Sequence, residues 1–479
     1  MPKHSNIISR GILKAMGLFG GTQVMSILCA IIRTKLIAVW MGPAGVGLFG
    51  LYNSAVDMIN SVSNMGIRSS SVRDISMANA TGERNRIARI ISVVRRWSWA
   101  LGIFWAFVML ACAPILSNFT FGDYDHVWGF MALSVCVISF SVMNCEQAVM
   151  QGSQKLKNLA KSMVWGVATG LLFTVPMYYF WRLDSVVPSI IVYSVSCCAY
   201  TLLFRNSDYD KEKVGISAKE TAREGAEFVK LGICITVSSF VSLLVSYIFT
   251  AYLNHRSGTE EVGLYQAGNA LINRYAALLF SAIGLEYYPR LARVCHDKLR
   301  LRVFVSQETN ITLYILVPVI VLFLLFRELI VSILYSSEFH RMLPFISWCM
   351  IGMVLKGVSW CISFVILARG DSKIYLVTET TSAILCLSLN LVFYEMWGLA
   401  GLGISYAVWY MLYLIIVAVV YFRIYRLSLH RSVMLHMLYA LAVAVAALWA
   451  MSVNNYLITI VLAATTLAFS FIKIRKSVA

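Results

Sequence analysis

The chain has 479 residues, of which 59% are hydrophobic and 13% charged, and its mean hydropathy is +0.75. A soluble protein would need a largely apolar surface to hold so many apolar side chains, so this composition excludes a soluble globular protein. The net charge of +17 would suggest nucleic acid binding in a soluble protein. In a membrane protein, Lys and Arg accumulate in cytoplasmic loops, and we therefore expect no nucleic acid partner.

Fourteen apolar stretches follow one another along the chain, each about long enough to cross a ~30 Å hydrocarbon core as a helix. The sequence therefore predicts an all-α polytopic membrane protein with about 14 transmembrane helices. The stretches span 12–40, 46–67, 97–118, 127–150, 162–181, 186–204, 231–253, 262–288, 308–335, 342–368, 374–394, 399–422, 432–452 and 455–472.

The charges between the stretches predict the orientation. If the N-terminus is cytoplasmic, most of the 40 Lys and Arg lie on the cytoplasmic side, including the seven Arg in the basic loop predicted over 68–96. The even number of spans returns the C-terminus to the same side. We therefore expect a multi-pass protein with both termini in the cytoplasm.

An internal repeat divides the chain. Val46–Phe49 and Val262–Tyr265 share the pattern Val-Gly-Leu-aromatic, and Gly152–Lys155 matches Gly370–Lys373 at nearly the same separation along the chain. Each half holds an even number of spans, so both halves enter the membrane in the same direction, as in transporters with parallel repeats.

The repeat predicts the domain organisation. We expect an N-terminal six-helix lobe over 1–204, a cytoplasmic linker over 205–230, a C-terminal six-helix lobe over 231–426 and an additional transmembrane hairpin over 427–479.

Polar side chains form one face of spans two and eight, the spans that carry the repeated tetrapeptide. The face consists of Asn53, Asp57, Asn60 and Asn64 in span two, and of Asn269 and Asn273 in span eight. Such a stripe at matched positions indicates two helices that face a shared aqueous cavity. The alternative is interhelical hydrogen bonding in a dry bundle.

Four cations lie inside predicted spans: Arg33, Lys35, Arg274 and Lys356. Buried cations suit an anionic ligand, and guanidinium groups bind phosphate oxygens in bidentate fashion. The alternative is structural pairing with buried acids. Lys35 lies two residues beyond Arg33 and points elsewhere, so it either faces the cavity or extends to the outer interface.

Three buried acids, Asp57, Glu146 and Glu379, are candidates for ion coupling, since a membrane carboxylate can carry a proton or bind Na⁺. Pairing with the buried cations is again the alternative. The chain has no Walker loop, no nucleophile motif and no His or Cys cluster at metal-ligand spacing. We therefore predict no enzyme, no catalytic residue, no metal and no cofactor, with transport coupled to an H⁺ or Na⁺ gradient or to the membrane potential.

The segment from Lys35 through Leu48, with its Met-Gly-Pro-Ala-Gly-Val-Gly-Leu run, resembles the first hairpin of the O-antigen flippases and of the lipid III flippase of enterobacterial common antigen. These belong to the polysaccharide-transporter branch of the multidrug/oligosaccharidyl-lipid/polysaccharide exporter superfamily. The resemblance covers roughly the whole chain, and the extra hairpin is similar to the fourteen-helix members.

The resemblance implies a flippase that moves undecaprenyl-pyrophosphate-linked oligosaccharide, such as an O-antigen repeat unit, across the bacterial inner membrane by alternating access. Its cationic cavity would include Arg33, Lys35 and Arg274, with Lys356 added by location. Membrane lipids and a polymerase, chain-length regulator and ligase of the same glycan pathway would be its partners. The alternatives are a cation-coupled multidrug exporter of the same superfamily and a membrane-embedded glycan polymerase or acyltransferase.

Overall fold

The protein is helical throughout the part of the chain that its computed structural model describes. The description covers residues 3–64, 66–81, 83–205, 207, 217–295 and 297–478, and it omits some side chains within these ranges. The α-helices are α1 (Lys3–Ser63), α2 (Ile67–Thr81), α3 (Arg84–Phe121), α4 (Val127–Gly152), α5 (Leu156–Trp181), α6 (Val186–Leu203), α7 (Ala218–Ser257), α8 (Thr259–Val294), α9 (Lys298–Leu334), α10 (Leu343–Arg369), α11 (Ser372–Val419), α12 (Arg431–Ser452) and α13 (Tyr456–Val478).

Ten helical stretches of the described chain are long and apolar enough to cross a membrane. Three of them, Gly21–Ser63, Leu156–Leu203 and Ser372–Ile424, contain 43, 48 and 53 residues, which is enough for two crossings each. The ten stretches cover thirteen of the predicted spans, and the fourteenth, 262–288, lies in α8, which is not among them. The predicted all-α polytopic architecture is confirmed.

Two segments expected to be loops are helical instead. The basic segment over 68–96 forms α2 and the start of α3, because Ile75 and Ala78 of α2 pack against Ile87, Ile91 and Val149. The second part of the predicted linker is the start of α7, which Ser217 and Glu220 begin with a capping box. Helices α3 and α7 begin before the apolar stretches from which their spans were predicted, and α2 is a separate helix with its own apolar contacts.

The chain packs into two compact units, Met1–Gly263 and Leu264–Ala479. Helix α7 packs against α1 and α3 and so belongs to the first unit. In the second unit, α10 packs along α11, and α12 and α13 pack on α9. The predicted lobes over 1–204 and 231–426 stay a prediction.

The repeat is visible in the backbone, because both halves interrupt their helices with a positive φ at equivalent positions. The pairs are Gly42 (φ 64°) with Gly258 (φ 84°), Gln154 (φ 57°) with Gly370 (φ 74°), and Arg182 (φ 44°) with Gly398 (φ 58°). The members of every pair are separated by the same length of chain as the two copies of the tetrapeptide. The backbone at Gly42 and Gly398 divides α1 and α11 into two arms each.

The constant separation between equivalent positions of the two halves corrects one match made from the sequence. The predicted pairing of Gly152 with Gly370 is wrong, since Gln154 occupies the turn position that Gly370 has in the second half. The turn hydrogen bonds agree: the amide of Lys155 donates to the carbonyl of Met150, and that of Asp371 donates to Ile366. Lys373 therefore corresponds to Lys157.

The repeated tetrapeptides meet each other at their glycines. A Cβ atom on Gly47 would overlap the carbonyl oxygen of Thr259, and a Cβ atom on Gly263 would overlap the carbonyl oxygen of Pro43. Because Pro43 and Thr259 are themselves equivalent positions of the repeat, the contact is reciprocal, as in a twofold interface. All four residues belong to the first unit. The motif therefore has a packing role: it lets two helix backbones approach closely.

The C-terminal hairpin is attached to α9 by polar contacts near both ends of α12. Asn310 donates to Ser432 over 3.2 Å, and a ring nitrogen of His436 lies 3.0 Å from the Asn310 side-chain oxygen. At the other end, Arg327 donates to the carbonyl of Met451 over 3.3 Å. Within a bilayer these contacts satisfy polar groups that lipid cannot.

The glycine contact makes a testable prediction. Gly47→Ala and Gly263→Ala should each lower the free energy of unfolding by about 1–3 kcal/mol, because the added methyl group meets backbone atoms that cannot rotate away. Thermal melting of the purified protein measures this. Gly21→Ala is the matched control, because a Cβ at Gly21 has no neighbour within 4 Å. Equal melting of Gly47→Ala and Gly21→Ala would contradict the prediction.

Candidate functional site

The first cluster of the candidate site surrounds Arg33, in the first arm of α1. The Arg33 guanidinium lies over two aromatic rings, 5.0 Å from the centroid of Phe49 and 4.4 Å from that of Tyr193 in α6. Aromatic faces attract a cation electrostatically without occupying its N–H donors. Within the described residues, no oxygen accepts a hydrogen bond from Arg33, so its donors remain available to a ligand.

The predicted polar stripe lies on the second arm of α1. The Asn53 amide donates to the Asp57 carboxylate over 2.8 Å, and Arg33 acts electrostatically on that carboxylate. Asn64 donates to both the backbone and the side-chain oxygen of Asn60, at 2.9 and 3.1 Å. All four side chains are half-buried. The stripe is thus held by bonds along its own helix.

Lys35 does not join this cluster. Its side chain is exposed, whereas that of Arg33 is half-buried over the rings. This agrees with the expectation that the two cations point to different sides of the helix.

The second cluster surrounds Lys356, which lies halfway along α10 in the second unit. Its ammonium group donates to Asn273 over 3.4 Å and to the Tyr406 hydroxyl over 3.3 Å. It also lies over the rings of Tyr406 and Tyr410, at 5.8 and 5.2 Å from their centroids. Asn273 in turn donates to Asn269 over 2.7 Å. The structure therefore brings together three predicted site residues in this unit.

The two clusters have the same arrangement of side chains. Each places a cation over two aromatic rings, beside a side-chain pair on the helix that carries the repeated tetrapeptide. The pairs, Asn53–Asp57 and Asn269–Asn273, occupy equivalent positions. The cations do not, because Arg33 lies in α1 and Lys356 in α10. The side chain of Arg274 lies outside the described residues, and its role stays a prediction, as does a cavity shared by both halves.

Glu146 has a structural partner. Its carboxylate receives two hydrogen bonds from Arg95 of α3, at 2.6 and 2.9 Å, and 4% of its side chain is exposed. Arg95 was assigned to the basic loop, so sequence reasoning had no basis for pairing the two. A buried bidentate pair of this kind compensates both charges. We therefore leave Glu146 out of the proposed site.

Glu379 is held differently. Its carboxylate accepts a hydrogen bond from the Tyr413 hydroxyl over 2.6 Å. In the part of the chain that the structure describes, no cation lies within ion-pairing distance of this acid. Glu379 remains a candidate for proton binding because its neighbours are hydroxyl groups.

The sequence analysis missed the aromatic residues that support both cations. Tyr406 and Tyr410, the two rings beside Lys356, lie at i and i+4 along the second arm of α11, and Tyr413 follows on the same helix face at i+7. The spacing of these tyrosines on one helix face is the signal in the sequence that could have revealed them. Tyr193 had no signal of its own, since its contact with Arg33 depends on how α6 packs.

Comparison with known proteins gives a consistent result. The family model described as polysaccharide biosynthesis protein matches residues 36–344. A Shigella flexneri protein whose name describes an O-antigen transporter is 22% identical over 390 residues, which is 80% of this chain and 90% of that protein. The lipid III flippase of Escherichia coli K12 is 19% identical over 398 residues, covering 79% of this chain and 90% of the flippase.

Solved structures share the fold. The lipid II flippase MurJ in an inward closed conformation superposes with a TM-score of 0.70 at 10% identity, covering 98% of this chain and all of that one. An inward-facing multidrug transporter of the MATE family in the MOP superfamily gives a TM-score of 0.67 at 12% identity, covering 89% of this chain and 95% of the transporter.

The Arg95–Glu146 pair makes a testable prediction. Glu146→Gln should lower the free energy of unfolding by about 3 kcal/mol, because it leaves a buried guanidinium without its counter-charge. Glu286→Gln is the matched control: its ion pair with Arg290 is exposed, at 68% and 53% of the two side chains. Such a pair contributes at most about 1 kcal/mol. Thermal melting distinguishes the two variants, and equal losses would contradict a structural role for Glu146.

Proposed function

Because the chain belongs to the polysaccharide biosynthesis protein family, we propose that it is a flippase for lipid-linked oligosaccharides. The substrate we propose is an oligosaccharide joined to undecaprenyl pyrophosphate, such as an O-antigen repeat unit. The relatives named above are transporters or flippases and not enzymes, so we do not pursue a polymerase or acyltransferase.

The observation that carries this proposal is the Arg33 cluster. A cation in a membrane span is costly and is kept where it has a function or a partner. Arg33 rests on Phe49 and Tyr193, which stabilise its charge and leave its N–H donors free. A guanidinium group with free donors matches the oxygens of a pyrophosphate in bidentate geometry.

The Lys356 cluster supports the same ligand. The Lys356 ammonium donates to neutral groups, the Asn273 amide oxygen and the Tyr406 hydroxyl, so its positive charge is not neutralised by a carboxylate among the described residues. Asn53 in the first repeat and the Asn269–Asn273 pair in the second offer amide donors and acceptors of the kind that bind sugar hydroxyls. Pyrophosphate and sugar binding thus use adjacent side chains.

The physics of the bilayer explains why such a site is needed. The polyprenyl tail is apolar and can remain in lipid, while a pyrophosphate with two or more charges cannot enter hydrocarbon unaided. In the proposed mechanism, the two lobes rock to open a cation-lined cavity to each side of the membrane in turn.

The proposal includes location and partners. We place the protein in the bacterial inner membrane with both termini cytoplasmic, where it would supply a polymerase, a chain-length regulator and a ligase of the same glycan pathway. A cation-coupled drug exporter is the alternative function, because MATE transporters share the fold. An exporter of cationic drugs needs acidic residues at its binding site, whereas both clusters described here centre on a cation.

Replacing the two cations tests the substrate. Each variant is expressed in a strain that lacks the wild-type gene. Arg33→Gln and Lys356→Gln should each reduce surface glycan at least about tenfold relative to the wild-type protein, because a hydrogen bond to a charged group contributes about 1.5–3 kcal/mol. Lys473→Gln is the matched control, since Lys473 also lies over an aromatic ring, 5.5 Å from Phe469, but in the C-terminal hairpin. Immunoblots of isolated membranes check that the variants and the wild type are present in equal amounts.

Extraction of lipid-linked intermediates completes this test. We expect undecaprenyl-linked units to accumulate on the cytoplasmic face of the Arg33→Gln strain. Normal glycan in both cation variants would rule out the pyrophosphate site. Unchanged glycan with altered drug tolerance in the deletion strain would favour the exporter.

A separate prediction concerns Asp57. Asp57→Asn should fold normally, because the side-chain amide oxygen of Asn can still accept the hydrogen bond from Asn53, and the equivalent position of the repeat already holds Asn273, which is bonded to Asn269. If Asp57 carries the coupling ion, the variant should retain substrate binding and lose the sensitivity of transport to ionophores. Transport that responds to ionophores as in the wild type would remove Asp57 from coupling.

A further inference from the structure

An apolar groove lies between the two arms of α11 in the second unit. Its volume is about 450 Å³, within the range of ~300–1,000 Å³ that is usual for small-molecule sites. Aliphatic side chains and two threonines form its walls, and Lys373 lies at one end. Three of the lining side chains, Val377, Ile415 and Val419, are more than half exposed. Because both arms belong to a stretch that is apolar and long enough to cross a membrane twice, the groove opens to lipid.

Hydrogen bonds join the two arms along a different face from the one that lines the groove. They pair Asn390 with Ser405, Ser382 with Trp409 and Glu379 with Tyr413, at 2.6–2.9 Å. Ile374, Val377 and Thr381 of the groove lie at i, i+3 and i+7, on another side of the first arm. Thr378, at the base of this wall, donates to a carbonyl of its own helix. Among the described residues, the groove side therefore lacks the polar contacts that join the arms elsewhere.

The second arm changes from an α-helix to a π-helix where it lines the groove. The π segment is Val420–Ile424, and the amide of Tyr425 donates to the carbonyl of Val420 over 3.0 Å. Both end residues of this segment belong to the wall. A π turn moves the following side chains away from the positions that an α-helix would give them, and such turns are frequent at functional sites. The local backbone thus contributes to the shape of the groove.

The equivalent positions in the first half of the repeat carry different residues. In place of Ile374, Ile416 and Val420, the first half has Asn158, Tyr200 and Phe204. The rings of Tyr200 and Phe204 are stacked, with their centroids 6.5 Å apart. The Asn158 amide of α5 donates to the carbonyl of Phe204, just beyond α6, over 3.2 Å. In the first half, rings and a hydrogen bond therefore occupy the position where the second half has a groove.

The end of the groove near Lys373 is positively charged. Lys373 is exposed, and among the described residues no carboxylate lies within ion-pairing distance of it. Asp371, the nearest acid in the sequence, accepts a hydrogen bond from the Tyr425 hydroxyl over 2.5 Å. This bond brings the ends of the two arms together, so the exposed Arg423 of the π segment adds positive charge at the same end. In the predicted orientation this end is cytoplasmic, where the membrane surface is negatively charged.

We propose that the groove binds one anionic phospholipid, with an acyl chain along its aliphatic walls and the phosphate beside Lys373. Basic residues at the cytoplasmic end of a site between membrane helices are the chemistry that recognises anionic head groups. The lipid would join the arms of α11 where rings and a hydrogen bond join α5 to the end of α6. This inference goes beyond the proposed function, because the phospholipid is a bound component of the protein and not the molecule transported.

Native mass spectrometry of the purified full-length protein tests the head-group site. The probes are phosphatidylglycerol and phosphatidylethanolamine with the same acyl chains, so that they differ in the net charge of the head group. We expect the wild type to bind phosphatidylglycerol more tightly. Lys373→Gln should weaken phosphatidylglycerol binding about fivefold, equivalent to about 1 kcal/mol, and leave phosphatidylethanolamine binding unchanged.

Lys157→Gln is the matched control for the charge. Lys157 occupies the equivalent position of the repeat and is also exposed, but its half has rings and a hydrogen bond in place of the groove. This variant should bind phosphatidylglycerol as the wild type does. Equal weakening in Lys157→Gln and Lys373→Gln would indicate a general attraction of anionic lipid to basic surfaces, and would overturn the proposal.

Val420→Phe tests the acyl chain, because it introduces the aromatic residue that the first half has at this position. The ring should occupy the groove and weaken the binding of both phospholipids at least about tenfold. Thr381→Trp fills the groove from an exposed position and makes the same test if Val420→Phe does not fold. Thermal melting checks that the variants are folded, and wild-type lipid binding by a folded, filled variant would overturn the proposal.

Undecaprenyl phosphate is the competitor that would reveal a different occupant. We expect it to leave phosphatidylglycerol bound at equal concentration, whereas displacement would assign the groove to a polyprenyl tail and overturn the proposal. Arg33→Gln should bind phosphatidylglycerol as the wild type does, because Arg33 lies in the first unit. A failure of the pyrophosphate site and a failure of the phospholipid site are therefore distinguishable.

Discussion

The cost of a charge in hydrocarbon is the constraint on which the rest of the structure depends. The protein meets it in two ways. Arg95 and Glu146 neutralise each other in a buried bidentate pair and have no capacity left for a ligand. Arg33 and Lys356 are instead stabilised by aromatic faces, which support a positive charge but do not neutralise it. A membrane cation of the second kind retains its attraction for an anion, which is why these two clusters define the candidate site.

The internal repeat conserves geometry more closely than chemistry. Helix interruptions recur at one constant spacing, and both Asn53 and Asn269 are hydrogen-bonded to the side chain one helical turn further on. The side chains at these equivalent positions differ: the first half has Asp57 where the second has Asn273. The cation of the first cluster lies in α1, whereas that of the second lies in α10. Arg182 adopts a left-handed φ that disfavours any residue with a Cβ, and Gly398 adopts it freely. The backbone pattern therefore tolerates considerable divergence in the side chains it positions.

That divergence gives the two units different capacities. The first combines a guanidinium group with a single carboxylate, Asp57, and the proposed function uses that guanidinium to bind an anion. The second combines an amine, three tyrosine hydroxyls and Glu379, all of which can exchange protons. This difference between the units follows from which cation each of them contains.

Sequence by itself determined the membrane-embedded class, the helical architecture, the family and the repeat, because these depend on composition and on spacing along one chain. It also singled out Arg33, Asp57 and Lys356 as candidate site residues, since an ionisable residue in an apolar stretch is conspicuous without a structure. Tertiary structure alone decided their partners. Arg33 meets Tyr193, Arg95 meets Glu146 and Lys356 meets Tyr406, and the members of each pair are far apart in the sequence. Such contacts depend on how helices pack against each other, and the spacing of residues within one helix does not specify which residues of another helix they meet.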